Sequence, residues 1–218
     1  MSARTAAVRA REAPSTRDAI LDAAERRFAE RGFAGVSVRQ ITADAGLKNQ
    51  ASLYHHFRNK RAIYEAVLAR GIAPIVALVT GDASGPRPVA ALTGPDLEST
   101  LDRICDYLAV HPHLPRLIER AGLDDSRYLR GAVTRHLRPL YAQGMHVLAS
   151  AGTRWTAAEL PHVAAGLYHL IFGYFANAEL LALVTQDDPL APAAVAGQRR
   201  FMKAAVAELL GLGPERET

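Results

Sequence analysis

The chain has 218 residues, 49% hydrophobic and 22% charged, enough for one sizeable core or for a small domain joined to a larger one. Its single cysteine, Cys105, excludes an intrachain disulfide framework and any multi-cysteine zinc site. Within the net charge of +4, residues 1–70 carry 13 basic and 7 acidic side chains while the rest carry 13 and 15, so the positive excess lies in the first third.

That asymmetry fits a polyanionic partner for the N-terminal part, either nucleic acid or an anionic membrane surface. No run approaches the ~18 uninterrupted apolar residues of a membrane span. The nearest, 160–184, is broken by His162, His169, Asn177 and Glu179 and reads as a buried helix. The N-terminus lacks the apolar core and cleavage site of a secretory signal, so a cytoplasmic location is expected.

Residues 1–14 carry Arg4, Arg9 and Arg11 with few large apolar side chains. They read as a disordered basic arm or a plain solvated tail. A first helix is expected from an N-cap at Ser15 or Thr16, with Asp18 in its first turn and Ile20, Ala23, Ala24 and Phe28 on one face. Gly32 should end it in a left-handed conformation, with Phe33 folding back on Phe28. Ser37 and Gln40 form a capping box for a second helix, with Val38, Ile41 and Ala45 inward and Gly46 at its end. Asn49 is the expected cap of a third helix over 50–57, with Leu53 and Phe57 inward. Arg58, Asn59 and Lys60 make a polar turn. A fourth helix then carries Ile63, Ala66, Val67, Ile75 and Leu78, bent near Gly71 and Pro74.

Residues 81–96 are Gly/Pro-rich and read as a loop. Beyond them Leu97, Leu101, Ile104 and Leu108 form a stripe ended by His111-Pro112, and Leu114, Leu117 and Ile118 form a short helix to Gly122. A long helix over 124–150, bent at Pro139, comes next. Thr156 with Glu159 reads as a capping box opening an apolar helix to about Thr185, and a last helix ends near Gly211. With no period-2 alternation of useful length, the fold class is all-α: an N-terminal three-helix helix-turn-helix domain (15–60) and a larger helical bundle (61–218).

Two short helices about a glycine turn, the second polar on its outer face, suit DNA. Gln50 and Ser52 lie where side chains reach base edges in a major groove. Lys48, Lys60 and helix N-terminal amides can meet phosphates. Asn49, Tyr54, His55 and His56, together with Ser37 and Arg39 on the second helix, complete the candidate DNA-binding set. A solvated helical hairpin is the alternative reading of the same spacing. The membrane reading is weaker, because no single basic amphipathic helix presents an apolar face.

Residues 16–68 resemble the DNA-binding domain of the tetracycline-repressor (TetR) family of bacterial transcriptional regulators. The resemblance lies in AILDAAERRFAERGF, VSVRQITADAG, LYHHF and NKRAIYEAVL, in that order. It implies DNA contacts by Ser52, Tyr54 and His55, a phosphate contact by Lys60, and a helix-turn-helix core at Leu53 and Phe57. It also implies a dimer on a double-stranded, palindromic operator and a small-molecule effector pocket. One departure stands out: between Gly46 and LYHHF this chain has one residue more than the commonest pattern. The individual roles of Lys48, Asn49 and Gln50, and any operator sequence, are therefore left unassigned.

The C-terminal part fits these expectations independently. Residues 156–185 are apolar on nearly all sides, and one small domain rarely encloses such a helix. With the last helix it is the expected homodimer interface, through Leu167, Leu170, Phe175, Leu181, Phe201 and Val206; a helix enclosed by its own subunit is the alternative. Gly166, Gly173, Ala176 and Ala178 would allow close helix approach. Candidate effector-binding residues are Tyr107, His111, Tyr128, His136, Tyr141, Tyr168, His169 and Phe172, with Leu117 and His146 near them. Neither His111/His113 nor His162/His169 has the i, i+4 spacing of a helical chelate, so no metal and no cofactor are expected. No nucleophile elbow, phosphate loop or acid pair marks an enzyme. The expected function is a repressor released from DNA by a small apolar or amphipathic effector. The alternative is a DNA-binding dimer without one, its C-terminal domain serving dimerisation or a protein partner.

Overall fold

The computed structural model describes residues 15–80, 95–123, 126–150 and 154–211. The expected basic arm (1–14) and most of the Gly/Pro loop (81–94) lie outside them. Among the described residues every regular element is helical: α1 (Thr16–Arg31), α2 (Val38–Asp44), α3 (Gln50–Tyr54), α4 (Lys60–Thr80), α5 (Pro95–Val110), α6 (His113–Leu123), α7 (Ser126–Ala132), a π turn (Val133–Leu137), α8 (Arg138–Ser150), α9 (Leu160–Ala176), α10 (Ala178–Thr185) and α11 (Pro192–Leu210).

The first helices form where their caps dictate. Ser15 Oγ accepts from the Asp18 amide, and Ser37 with Gln40 makes both halves of its capping box. Gly32 has the expected positive φ of 67°, but its ψ of 176° is extended, so the chain leaves α1 without a left-handed helical turn. Phe33 nevertheless stacks on Phe28, with ring centroids 6.1 Å apart.

Helix α4 joins the two parts. Ile63, Tyr64, Val67, Leu68 and Ile72 are buried, and the helix packs on α1, α5, α6 and α7. It has the length and apolarity of a membrane span, which the reading of 160–184 as the nearest such segment overlooked. Its apolar side chains face protein, as those of a core helix do. The core runs without a break from Ile20, Phe28, Ile41 and Leu53 through α4 to Leu101, Leu108, Leu114, Phe175 and Met202. Each such side chain contributes about 1.5–3 kcal/mol by leaving water.

Helices α4 and α6 approach closely at Gly71. A Cβ built there would lie 2.1 Å from Leu114 Cδ1, so only glycine fits without a shift. Pro74 sits within α4, and the Tyr107 hydroxyl donates to the Gly71 carbonyl at 3.2 Å. Burial pushes the Tyr107 phenol up to about 12, so it stays a donor at any physiological pH.

In the C-terminal part three features differ from the sequence expectation. Residues 126–150 are helical but pass through the π turn just before Pro139, whose missing N–H favours a locally wider turn. The Glu159 carboxylate accepts from the Thr156 amide and hydroxyl at 2.8 and 2.7 Å, yet α9 starts only at Leu160, followed by Pro161. The long apolar helix is two helices bent by 68° at Asn177. There the Asn177 Nδ2 donates to the Gly173 carbonyl at 2.9 Å, a side chain competing with the backbone ladder.

Candidate nucleic-acid interface

The exposed end of the N-terminal domain is built around α3. Asn49 caps it: the Ser52 amide donates to Asn49 Oδ1 at 3.0 Å and the Ser52 hydroxyl at 3.2 Å. Asn49 therefore serves as the cap of α3, as the sequence predicts. Helix α3 is shorter than expected. It ends at Tyr54, where His56 bonds back to the Leu53 carbonyl in a tightened turn.

Leu53 is wholly buried and Phe57 nearly so, and they anchor α3 on the core. Lys48, Asn49, Gln50, Tyr54, His55 and His56 are exposed, as are Ser37 and Arg39; Ser52 is half-buried. Tyr54 is 48% exposed, a large ring facing outward beside two imidazoles. These side chains form one polar-aromatic surface, suited to hydrogen bonds with base edges and to packing on sugar and phosphate.

Lys60 has partners within the fold. Its ammonium donates to the Phe33 and Val36 carbonyls at 2.9 and 2.8 Å and lies 4.3 Å from the Phe33 ring centroid. It ties the start of α4 to the α1–α2 turn, a structural task that the sequence did not reveal. The carbonyls that hold it are 24 and 27 residues earlier, a relation only the fold creates.

Other polar and basic groups do not appear in the sequence-derived set. Arg58 and Asn59 are exposed beside α3, and Asn59 caps α4 through the Ala62 amide at 2.9 Å. An Asn one residue before a helical pattern is the signal that marks it. Arg17 lies 5.2 Å over the Phe57 ring. Arg27 grips Asp44 through two hydrogen bonds of 2.5 and 2.9 Å, clamping α1 to α2 and holding the Asp44 carboxyl below the usual carboxylate range.

The family model "Bacterial regulatory proteins, tetR family" matches residues 20–67, the span of α1–α3 and the start of α4. A TetR-like transcriptional regulator from Rhodococcus sp. RHA1 superposes over 90% of this chain and 96% of its own, with a TM-score of 0.63 and 18% identity. The N-terminal part of this chain is thus similar to the DNA-binding domain of the tetR family. Among curated relatives, the HTH-type transcriptional repressor SCO4008 of Streptomyces coelicolor is 30% identical over 53% of this chain and 54% of its own length. The HTH-type transcriptional repressor NicS of Pseudomonas putida is 28% identical over 68% of this chain and 66% of its own. The chain thus matches about half the length of the first and just under two thirds of the second.

Of the eight expected effector residues, Tyr107 and His111 share one groove. Tyr107 and His111, with ring centroids 4.5 Å apart, border an open, mostly apolar groove of about 540 Å3 with Pro74, Leu78, Arg103 and Val110. Tyr128 instead packs on Phe33 at 4.3 Å and Tyr64 at 5.7 Å, joining the two domains. Tyr168 stacks on Phe172 at 5.1 Å along α9, with His169 exposed beside them. Tyr141 is 48% exposed on α8, and the His136 side chain lies outside the described residues. No group of three or more potential metal ligands occurs among the described residues.

The expected dimer residues also divide. Phe175 and Val206 are both 2% exposed within their own subunit, so neither is available to a partner. Leu167, Leu170 and Leu181 are half-buried, and Phe201 is exposed. Three apolar side chains outside the expected set, Leu180, Leu183 and Val184 on α10, are exposed with it. Periodicity alone could not sort them, because the bend at Asn177 redirects every residue that follows.

Proposed function

We propose that this protein is a homodimeric, DNA-binding transcriptional repressor that leaves a palindromic operator when a small apolar or amphipathic molecule binds its C-terminal domain. The observation that carries the reading is α3 itself. A short, side-chain-capped helix is pinned by Leu53 and Phe57 and presents Gln50, Tyr54 and His55 outward, within the span matched by the tetR family model. One five-residue helix reads too few bases for useful affinity, and a two-fold pair one helical turn apart reads a palindrome. The exposed Leu180, Leu183, Val184 and Phe201 supply an apolar face for that pairing.

Helix α4 is the lever. Arg70 bonds Asp22 at 2.8 Å and Glu25 at 2.9 Å, both on α1. Burial opposes its charge, but the two carboxylates outweigh it and raise the guanidinium above its ordinary value. The next residue, Gly71, is held from the other side by Leu114 and the Tyr107 hydroxyl. A molecule entering the groove beside Tyr107 and Pro74 displaces α4 at Gly71, and Arg70 passes that displacement to α1. The effector acts by favouring one of two arrangements, so its differential affinity sets the size of the response.

A second reading, a dimer without an effector, rests on the open shape of the groove beside Tyr107 and His111. The protein works in the cytoplasm, where its DNA is, and performs no catalysis. Selection of duplexes from a random pool, then a screen for compounds that release the selected duplex, tests the reading. Recovery of a two-fold sequence and a releasing compound supports it. Unselective recovery overturns the DNA claim, and an operator that no compound releases favours the second reading.

A further inference from the structure

Three guanidinium groups converge on a recess between α4 and the α7–π turn wall. Arg61 and Glu65 on α4 face Arg127, Tyr128, Gly131 and Arg135 across about 230 Å3, the space of roughly eight waters at ~30 Å3 each. Glu65 answers Arg61, whose Nε lies 2.7 Å from its carboxylate. Two of the cations sit on one ring: Arg127 is 4.7 Å and Arg61 5.5 Å from the Tyr128 centroid. Three like charges against one carboxylate leave the recess two charges short of neutrality.

The backbone brings these groups together. Eight residues of α-helix turn through about 800°, which would carry Arg135 some 80° past Arg127. Arg135 lies in the π turn Val133–Leu137, whose wider i→i+5 geometry turns less per residue and keeps it on the Arg127 face. Gly131, between them, exposes backbone and leaves room.

We propose that this recess binds a small oxyanion carrying at least two negative charges, a polycarboxylate or a phosphate. Planar guanidinium forks match the oxygens of either group bidentately, which a point-charge lysine does not. A duplex phosphate is the poorer occupant. One wall of the recess, α7 and the π turn, lies outside the span matched by the family model, so a duplex seated on α3 meets at most the α4 wall. An anion held by both walls draws α7 toward α4, and any effect on DNA affinity rests on the regulator reading above.

The test is calorimetric titration of the full chain with citrate and with inorganic phosphate at constant ionic strength. The proteins are the wild type, Arg127→Gln/Arg135→Gln and Glu65→Gln, each checked by circular dichroism. Saturable binding of either anion, weakened at least tenfold in the double variant and tightened severalfold by Glu65→Gln, is the expected result. The anion that binds more tightly identifies the ligand class. Absence of saturable binding, or equal binding by all three proteins, overturns the site. Anisotropy with duplex DNA and no added anion separates the remaining case. Affinity within twofold of wild type supports a small-molecule site, and a tenfold loss with a shallower salt dependence assigns the recess to DNA phosphate and overturns the proposal.

Discussion

Replacing Lys60 with Met is expected to destabilise the N-terminal domain, and to weaken DNA binding only as a consequence. The wild-type ammonium makes hydrogen bonds of 2.9 and 2.8 Å to the Phe33 and Val36 carbonyls and sits over the Phe33 ring at 4.3 Å. Hydrogen bonds to a charged group contribute about 1.5–3 kcal/mol each, and a partly exposed cation–π contact about 0.5–1 kcal/mol. Two effects reduce the sum. Lys60 is half-buried, so water reaches the abandoned carbonyls, and Met retains the packing of the aliphatic stem. A net loss of about 2 kcal/mol remains. For a chain of this size that lowers Tm by about 4–8 °C. Thermal and urea unfolding measure the loss, and fluorescence anisotropy with duplex at two salt concentrations measures binding. The reasoning is refuted if Lys60→Met unfolds within ~0.5 kcal/mol of wild type while the salt slope of DNA binding falls by about one. That pattern would make Lys60 a phosphate contact.

Asn49→Ala removes the cap of α3 and should cost about 1 kcal/mol; DNA affinity should fall while the melt stays cooperative, and Asn49→Asp should restore the cap. Gly71→Ala places a methyl against Leu114 and should destabilise by about 1–3 kcal/mol; a double-mutant cycle with Leu114→Ala should show a coupling above ~0.5 kcal/mol. Leu183→Glu with Phe201→Glu should yield monomers by light scattering and abolish tight operator binding. The Arg27–Asp44 clamp has a pH signature. Because the folded-state pKa of Asp44 is lowered, chiefly by the Arg27 hydrogen bond, its stabilisation is present above the unfolded value of ~3.9 and is lost as pH falls through the folded value. The Tm gap between wild type and Asp44→Asn should hold between about pH 5 and 7 and narrow progressively as the pH falls below the unfolded value of ~3.9.

Local chemistry was readable in advance. Ser15, Ser37 with Gln40, and Asn49 act as caps because each bond involves a residue three positions away, well within a sequence window. The stripe of Leu97, Leu101, Ile104 and Leu108 is buried because helical spacing places these residues on one face. What escaped depends on distant partners. Lys60 is exposed or caged according to where the Phe33 and Val36 carbonyls lie. Phe175 and Leu183 look equivalent in a helix apolar all round, and only the bend at Asn177 separates a core residue from an exposed one. Tyr128 has the character of a pocket residue and does border a recess, but its packing on Phe33 and Tyr64 could not be read from the sequence. The guanidinium recess escaped for a similar reason, since a π turn is not written in periodicity.

The central claim is that α3 reads DNA as one half of a two-fold pair. Its most direct test is selection of bound duplexes from random DNA, followed by anisotropy of the selected sequence against a scrambled one across a salt series. The account predicts an inverted repeat with half-site centres 10–10.5 base pairs apart or a multiple of that spacing. It also predicts affinity that falls steeply with salt, and loss of selectivity in Tyr54→Ala with an unchanged melt. Equal binding to selected and scrambled duplexes, or no salt-sensitive complex, would contradict it.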